Sequence, residues 1–354
     1  MSIDDLVLQQ QKLFASDFPE SHTVISSRIR LARNWSAYPF VTKMDPAQQA
    51  EVELRLRRVL EGVAQGECDV FFMDKVDDFT QTLLLECHFA SPEMIRGEEA
   101  RSVVVLPGAR SSAMLMEEDH IRIQTIRGGL ALHDAWEELN ALDDAIDEKI
   151  VYAWSDQLGY LTACPTNVGT GMRVSVMLHL PALSATKQFQ KMYNSLQKIS
   201  LTVRGIYGEG SQALGDLYQI SNQSTLGVTE EKLIRQVHDV VMAVVGYEKR
   251  ARDFLLEENR EKTQDSLHMS LEMLRSEEKI STADALGALS TLRMGVNMGI
   301  VTGFEMSIAN LLMRQVQPAH LQWVHGGIES SLDEGFLRAQ YIQKFIQNTE
   351  ILSH

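Results

Sequence analysis

The stretch Ser112–Gln124 constrains this chain most, because it places charged side chains inside a segment with the apolar pattern of a β-strand. Methionines and isoleucines surround two adjacent carboxylates, Glu117 and Glu118. Successive side chains of a strand alternate between its faces, so Glu118 and Arg122 are predicted to share one face, about 13 Å apart. This spacing suits a carboxylate that holds a cationic acceptor and an arginine that holds phosphate. A solvated strand face with an incidental ion pair is the alternative.

Composition indicates a folded globular protein. The chain has 354 residues, of which 44% are hydrophobic, enough for two domains with cores of their own. No apolar run reaches the roughly 18 residues that span a bilayer, and the first residues lack a signal pattern, which predicts a cytoplasmic protein without membrane association. The net charge of −15 disfavours nonspecific nucleic-acid binding. The three cysteines have no metal-ligand spacing, and their odd number disfavours a disulfide framework.

Hydrophobic periodicity divides the chain into a mixed part and a helical part, which predicts an α+β fold. The strand candidates are residues 23–29, 69–73, 101–106, 114–124 and 200–204, and the helix candidates are residues 46–62 and 130–150. Beyond Gly227 the pattern is helical, with helix starts at Thr229 and Ser281, a break at Pro318 and a last helix over residues 332–351. The predicted organisation is an N-terminal segment over residues 1–22, a mixed domain over residues 23–250 and a helical domain over residues 251–354.

The first of three further segments is Ser26-Ser27-Arg28-Ile29-Arg30. Arg28 and Arg30 share a face if this segment is a strand. A guanidinium is a planar fork that binds phosphate oxygens through two hydrogen bonds and keeps its charge. Two such groups on a rigid strand, with hydroxyls nearby, would hold a polyphosphate. A basic surface strip is the alternative.

The second segment, CPTNVGTGMR, runs from Cys164 to Arg173. Its glycines let the backbone approach a ligand closely, its threonines and asparagine offer hydrogen bonds, and Arg173 adds another phosphate ligand. Cys164 is either a polarised thiol beside a cationic site or a buried structural cysteine.

The third segment, VRGIYGEGS, predicts a loop that closes onto a cationic substrate. Arg204 stands at its root and Glu209 near its tip. An ordinary glycine turn is the alternative. Neither the G-x-x-x-x-G-K-[ST] loop nor the H-R-D and D-F-G motifs occur in the sequence, so an ATP enzyme with this sequence is neither a P-loop protein nor a eukaryote-type protein kinase.

In their order along the chain, these segments resemble the ATP:guanidino phosphotransferase family, which includes creatine and arginine kinases. The matching stretches are SSRIR, EEDHIR, CPTNVGTGMR, RGIYGEG and SNQSTLG, over about residues 20–250. Within the family the chain is most similar to the bacterial branch that acts on protein arginines. The arginine motif begins at Arg28, which leaves no room for the N-terminal helical domain of the metabolite kinases, and a helical domain follows instead. The LARN continuation and the VMLHLP run also resemble that branch.

The resemblance implies a catalytic domain with an antiparallel sheet flanked by helices, followed by an all-α domain. ATP and Mg²⁺ would be bound by the catalytic domain. Glu118 would be the catalytic carboxylate, Glu209 would pair with the substrate guanidinium, and Glu117 would order the magnesium waters. Cys164 matches the active-site cysteine of the family. The ATP phosphates would be bound by Arg28, Arg30, Arg122, Arg173 and Arg204. The rest of the nucleotide site would comprise Ser26, Ser27, Ile29, His88, Val174, Ser175, Val176, Met177, Gly205, Ile206, Tyr207, Gly208 and Glu209. From the residue alone, His88 reads as a structural histidine.

Two positions depart from the family pattern. Met116 stands where the family has asparagine before its two glutamates. The bacterial branch also carries an R-D-x-x-R-A motif that resembles a phosphoarginine receptor, and here the aligned stretch, from Glu334 to Ala339, reads EGFLRA. A glutamate in place of the first arginine would repel phosphate, which predicts loss of that receptor.

The functional hypothesis is transfer of the ATP γ-phosphoryl group to the guanidinium of arginine residues in proteins, in protein quality control or a stress response. Implied partners are protein substrates with exposed arginines, an activator protein, a transcriptional repressor, a chaperone–protease and a second copy of the chain. Two alternatives stay open. One is a kinase for a small guanidino compound such as free arginine, and the other is a regulatory binding protein with reduced catalysis.

Overall fold

The computed structural model describes residues 3–15, 18–97, 100–205, 213–326 and 333–352. Its strands are β1 Val24–Arg33, β2 Asp69–Phe72, β3 Ser102–Val105, β4 Ser111–Leu115, β5 Ile121–Gly128, β6 Trp154–Ser155, β7 Gly159–Tyr160, β8 Met172–His179, β9 Leu201–Gly205, β10 Leu217–Asn222, β11 Val301–Thr302 and β12 Glu350–Ile351. Its helices are α1 Ile3–Ala15, α2 Pro46–Val63, α3 Asp78–Glu86, α4 Pro92–Arg96, α5 Leu132–Asp147, α6 Pro181–Ala185, α7 Phe189–Gln197, α8 Glu230–Glu258, α9 Arg260–Ser276, α10 Thr282–Asn297, α11 Met306–Gln315, α12 Pro318–Val324 and α13 Glu334–Gln343.

An eight-stranded sheet runs in the order β2-β3-β4-β5-β1-β8-β10-β9 among the described residues. The consecutive pairs from β2 to β5 and the pair of β5 with β1 are antiparallel. Together with the helices this confirms the predicted α+β fold with an antiparallel sheet. Within the described ranges, no helix is long and apolar enough to cross a membrane.

The chain forms two compact units. The first comprises residues 1–13, 26–175 and 221–238, and the second comprises residues 14–25, 176–220 and 239–354. In the first unit, the alternation of β1 buries Ile29 and Leu31 completely and turns Arg28 and Arg30 to the opposite face. At the end of β1, Arg33 is buried and pairs with Asp143 of α5 at 2.7 Å.

The second unit has a helical core with a buried cation at its centre. Arg293 on α10 is completely buried. Its guanidinium donates to the carbonyls of Ser21 and His22 at 2.9 and 3.0 Å, and to Asn310 Oδ1 at 2.8 Å. It also lies 2.7 Å from His179 Nδ1. Because a buried guanidinium without hydrogen-bond partners would be costly, these bonds fix α10 against the neighbouring segments of the unit.

The strand predicted over residues 114–124 is wrong. The structure has a hairpin instead, in which β4 ends at Leu115 and β5 begins at Ile121. The turn is closed by a hydrogen bond from Met116 N to His120 O at 3.0 Å. The run of four polar residues after Met116 interrupts the apolar alternation and forms the turn. Glu118 therefore lies in a turn, and the predicted common strand face of Glu118 and Arg122 does not exist.

The last helix is shorter than predicted. The prediction of a helix up to residue 351 is wrong, because α13 ends at Gln343 and β12 pairs with β11 in a two-stranded sheet. Gly303 makes this possible, since a Cβ at that position would lie 1.9 Å from the carbonyl oxygen of Asn348. Arg275 holds the returning chain by donating to Thr349 O at 2.6 Å. The helix start at Ser281 and the break before Pro318 are confirmed.

A buried carboxyl in the second unit predicts a measurable pH dependence of stability. Glu248 of α8 accepts hydrogen bonds at 3.0 Å from the backbone N–H groups of Ala182 and Leu183, in the first turn of α6. Burial raises the pKa of Glu248 to about 7, against the effect of these two hydrogen bonds and of Arg252, while Asp216 raises it further. The folded protein therefore retains this proton at pH values where the unfolded chain has lost it.

We expect this proton to stabilise the fold fully below pH 4.5, the ordinary pKa of a glutamate, with the contribution lost as pH rises through about 7. Relative to Glu248→Gln, the unfolding free energy of the wild type should fall by about 3 kcal/mol across this window. Urea unfolding at several pH values measures the difference. Glu257→Gln, an exposed glutamate on the same helix, is the matched control. Parallel stability curves for wild type and Glu248→Gln would contradict the assignment.

Candidate active site

Four arginines gather on one face of the sheet in the first unit. Arg28 and Arg30 are two residues apart on β1 and therefore share one face of the sheet. The antiparallel register places Arg122 of β5 opposite Ala32, on that same face. Arg173 of β8 belongs to the same group, because its charge and that of Arg122 act on both β1 arginines. Burial, Arg122 and Arg173 lower the pKa of Arg28 to about 10, and the pKa of Arg30 is lowered well below its usual range. Such a concentration of positive charge is a site for a polyanion.

A carboxylate at the edge of this arginine cluster balances part of the charge. Glu117 pairs with Arg122 at 2.7 Å, and their side chains are 3% and 19% exposed. Ser91 donates a hydrogen bond to the same oxygen of Glu117. The buried atoms Glu117 Oε2, Arg30 Nε and Arg122 Nε have no hydrogen-bond partner among the described residues. Buried polar atoms are rarely left without partners, so these point to ligand groups.

The unpartnered oxygen of Glu117 fits the outer shell of a magnesium ion carried by a nucleotide. Mg²⁺ keeps several of its waters and is usually held by few carboxylates together with substrate phosphates. No group of three metal-ligating side chains occurs in the described part of the chain.

Glu118 lies next to Cys164. The carboxylate is exposed in the turn between β4 and β5, and the side chain of Cys164 is close enough to act on its pKa. The sulfur of Cys164 lies 3.0 Å from Thr166 Oγ1. Burial raises the pKa of Glu118, with smaller contributions from the like charges of Asp119 and Glu117, and the charge of Arg122 and the side chain of Cys164 oppose this shift. The turn thus brings a proton acceptor, a thiol and the edge of the arginine cluster together.

A buried network that the sequence prediction missed fixes this turn. Asp119, which is 3% exposed, accepts hydrogen bonds from Asn34 Nδ2 at 2.6 Å and from the backbone N–H of Ala163 at 2.7 Å. Asn34 Oδ1 accepts from His120 N at 2.9 Å, and His120 Nδ1 accepts from Trp35 N at 2.9 Å. Asp119 therefore joins the turn that carries Glu118 to the segment that carries Cys164. The sequence signal was the pair of polar residues that follows the two glutamates.

Met116 shows what the departure from the family pattern does to the turn. Its φ is 60°, in the left-handed region, and its side chain is 1% exposed. Asparagine adopts this conformation more readily than methionine does, and the difference is about 1 kcal/mol. Burial of the methionine side chain offsets that cost by an amount of similar size.

Among the predicted nucleotide residues on β1 and after α3, some side chains share the face of the arginines and others turn away from it. Ser27 is completely buried, donates to Gly129 O at 2.8 Å and accepts from Ala131 N at 3.0 Å. Ser27 and Ile29 thus turn away from the face that Ser26, Arg28 and Arg30 share. His88 has a φ of 62°, and its carbonyl accepts from Gln124 Nε2 at 2.6 Å, which ties its backbone to β5.

Along β8, Ser175 donates to the carbonyl of Arg28 at 3.2 Å. Val174 and Val176 are completely buried, and Met177 packs against the hydrophobic core of the second unit. Arg204 and Gly205 end β9 in that second unit, where Arg204 is exposed. Ile206, Tyr207, Gly208 and Glu209 lie outside the described residues.

Arg338, in the altered EGFLRA stretch, is buried and contacts backbone carbonyls and a carboxylate. It is 3% exposed, and it donates to Val316 O at 2.7 Å and to Ile280 O at 3.0 Å. The carboxylate of Glu334 lies 3.4 Å from its third nitrogen. With carbonyls and a carboxylate around it, this guanidinium is arranged to hold helix ends together, and the loss of a phosphoarginine receptor stays a prediction.

Two family models match the chain. Residues 51–251 match the ATP:guanido phosphotransferase C-terminal catalytic domain, and residues 260–353 match the protein-arginine kinase McsB C-terminal domain. A protein-arginine kinase of Halothermothrix orenii is 40% identical over 97% of this chain and 99% of its own length. One of Bacillus cereus is 37% identical over 97% of this chain and 98% of its own length.

Solved structures agree with these matches. A lombricine kinase superposes with a TM-score of 0.59 at 27% identity, over 68% of this chain and 70% of its own. The fold is also that of a duplicated taurocyamine kinase from Schistosoma mansoni, with a TM-score of 0.60 over 90% of this chain and 49% of that one. With its catalytic-domain match and its near full-length relatives, the chain belongs to the ATP:guanido phosphotransferase family.

Proposed function

We propose that the chain is a protein arginine kinase, which transfers the γ-phosphoryl group of ATP to the guanidinium of arginine side chains in proteins. The observation that carries the proposal is the placement of Glu118 and Cys164 at the edge of the arginine cluster. A carboxylate there can hold a guanidinium, while the arginines hold the triphosphate. The relatives named protein-arginine kinase, which align over nearly their whole length, support a protein acceptor.

The arginine cluster would bind and orient ATP. Arg28, Arg30, Arg122 and Arg173 offer hydrogen bonds and positive charge to the triphosphate, and both properties stabilise the charge on the transferring group. When bound with the nucleotide, Mg²⁺ would neutralise further phosphate charge. Glu117 would order the water molecules of that ion through its free oxygen, Oε2.

Glu118 would solve the problem that a guanidinium is a poor nucleophile. Its lone pairs are delocalised, and it holds its proton up to a pH of about 12. The carboxylate of Glu118 aligns one nitrogen with the γ-phosphorus and takes its proton as the N–P bond forms and the bond from phosphorus to the leaving oxygen of ADP breaks. The raised pKa of Glu118 makes it a better base than an ordinary glutamate. Glu209 is proposed as the second carboxylate that holds the planar cation.

The proposal extends to the setting of the enzyme. We place it in the cytoplasm, where ATP is available, and in protein quality control. An activator protein, a transcriptional repressor, a chaperone–protease and a second copy of the chain are proposed partners through the helical domain. Loss of the phosphoarginine receptor, inferred from Glu334 and Arg338, argues that control by bound phosphoarginine is reduced in this chain.

One alternative has a specific observation in its favour. One solved relative is named lombricine kinase, and it is 27% identical to this chain. The same Glu118 chemistry would serve a free guanidino compound. A purely regulatory binding protein is disfavoured, because the arginines and Glu118 of the site are all present.

Comparing the rate of ADP release with different acceptors distinguishes the protein kinase, the small-molecule kinase and the binding protein. ADP release would be measured with MgATP and one of three acceptors: an unfolded arginine-rich protein, the same protein with lysine at each arginine, and free arginine. The proposal expects arginine-dependent release with the protein and little with the free amino acid. Turnover with free arginine alone would establish the small-molecule kinase. Absence of turnover with every acceptor, including in the presence of a candidate activator, would favour the binding protein.

A further inference from the structure

The hairpin β6–β7 displays large apolar side chains next to the candidate active site. Trp154 is 56% exposed and Leu158 is 45% exposed, and both belong to the same compact unit as Glu118 and Cys164. Leu226, in that unit too, is 51% exposed. We call Trp154, Leu158 and Leu226 the hairpin surface. Side chains of this size are seldom left in water as a group without a binding role.

Backbone contacts join the three members of the hairpin surface. Tyr160 of β7 and Gly169 exchange hydrogen bonds of 2.8 and 3.3 Å. Gly169 in turn lies against the segment that carries Leu226, because a Cβ at Gly169 would meet Thr225 O at 2.2 Å and Leu226 Cα at 2.8 Å. Gly159 is as closely packed, since a Cβ there would lie 2.6 Å from Gly169 O. The hairpin and Leu226 therefore flank one compact loop.

That loop carries the active-site thiol. It runs from Tyr160 to Gly169, so its two ends are joined by the hydrogen bonds above, and Cys164 lies within it. The backbone N–H of Ala163 donates to Asp119 at 2.7 Å, and the side chain of Cys164 is close enough to Glu118 to lower its pKa. A chain bound on the hairpin surface thus lies beside the carboxylate that would hold a target guanidinium.

The charges around the hairpin suit a cationic partner. Asp156 accepts a hydrogen bond from Trp154 Nε1 at 3.3 Å, and Asp147 and Asp156 are both exposed. Asp147 acts electrostatically on Tyr160, and so does Glu230. Arg33, the cation closest to this ring, is 1% exposed and is neutralised by Asp143 at 2.7 Å. The exposed charges of Asp147 and Asp156 are negative, which favours segments rich in arginine.

We propose that the hairpin surface binds the polypeptide that flanks the target arginine of a protein substrate, through apolar side chains next to that arginine. The inference rests on the proposed function, because it assumes a protein acceptor. It gives a reason for selecting unfolded proteins, since these expose apolar residues beside their arginines. Free arginine has no flanking chain and gains nothing from this surface.

Leu158→Ser tests the hairpin surface more specifically than a substitution of Trp154 would. Trp154 packs edge-on against Tyr160, with ring centroids 4.9 Å apart, so its loss could also loosen the hairpin. Leu158 lies in the turn, where its backbone N–H donates to Ser155 O at 3.2 Å, and serine keeps that hydrogen bond. Met269→Ser is the matched control, because Met269 is 74% exposed on α9 of the second unit.

The experiment uses the full chain and two fluorescein-labelled peptides with the same arginine and the same net charge. One peptide carries leucine and phenylalanine beside the arginine, and the other carries glycine and serine. Fluorescence anisotropy gives the Kd of each peptide, and ADP release gives KM and kcat. We expect Leu158→Ser to raise the Kd and KM of the apolar peptide about tenfold, with kcat and the binding of the polar peptide unchanged. Met269→Ser should change neither.

Two results would overturn the proposal. Equal weakening of both peptides would mean that Leu158 only supports the Cys164 loop, and unchanged binding of the apolar peptide would mean that it docks elsewhere. Failure of the proposed function is separate from both. It would appear as wild-type binding without phosphorylation of either peptide, while the anisotropy difference between wild type and Leu158→Ser would still decide whether the surface binds apolar chain.

Discussion

Glu118→Gln should lower phosphoryl transfer by about 10³-fold or more while MgATP binding stays within a few-fold of the wild type. The amide keeps the size of the side chain but removes both the proton acceptor and the negative charge that holds the guanidinium. ATP phosphates meet the arginine cluster instead, and that cluster is intact in the variant. ADP release measures turnover, and equilibrium binding of a fluorescent ATP analogue measures affinity.

The pH profile gives this prediction a signature that a folding defect would not reproduce. Burial and the charges of Asp119 and Glu117 raise the pKa of Glu118. The wild-type rate should therefore fall on the acid side at a higher pH than an ordinary glutamate would give, and the residual rate of Glu118→Gln should lack this fall. Glu148→Gln, whose side chain is 76% exposed, is the control. Turnover retained with ATP affinity lost would contradict the role of Glu118.

Arg28→Met should weaken MgATP binding about 10-fold to 100-fold and stabilise the protein without ligand. The affinity falls because a guanidinium that binds phosphate is removed. The stability rises because Arg28 is buried and is held against the charges of Arg122 and Arg173. Burial first, and this repulsion second, also lower its pKa to about 10. The gain should be about 1 kcal/mol after allowance for the partial exposure of the side chain. Thermal unfolding with and without MgATP measures both effects.

Arg127→Met is the matched control for Arg28→Met. Arg127 lies on the adjacent strand β5, opposite Ser27, and so on the other face of the sheet. It pairs with Glu138 of α5 at 2.6 Å. Its loss should reduce stability slightly and leave ATP affinity unchanged. A loss of stability in Arg28→Met, or equal ATP affinities for the two variants, would contradict the assignment of the cluster as an anion site.

The arginine cluster shows which parts of the site were predictable from sequence. Strand alternation predicts that Arg28 and Arg30 share a face, and that face is present in β1. The register between β1 and β5, which adds Arg122, depends on contacts between distant segments, and local pattern does not contain them. The roles of Arg204 and Glu209 stay predictions, since Arg204 belongs to the second unit and Glu209 lies outside the described residues.

The hairpin that carries Glu118 shows where the local sequence pattern gives a wrong prediction of secondary structure. Apolar residues on both sides of the polar run suggested one strand, but Met116 takes a left-handed conformation that methionine rarely adopts, and the chain reverses there. The buried bonds of Asp119 stabilise that reversal and are formed with Asn34 and Ala163, far away in sequence. The predicted end of the last helix was wrong for a similar reason, because β12 forms only through its pairing with β11, a distant segment.

Phosphorus NMR at neutral pH distinguishes transfer to protein arginines from the alternatives. The protein would be incubated with MgATP and an unfolded arginine-rich protein, with free arginine in a parallel tube and Glu118→Gln as the control enzyme. We expect an acid-labile signal from a nitrogen–phosphorus bond in the protein tube, none with free arginine and none with Glu118→Gln. A signal with free arginine alone, or one that persists in Glu118→Gln, would contradict this expectation.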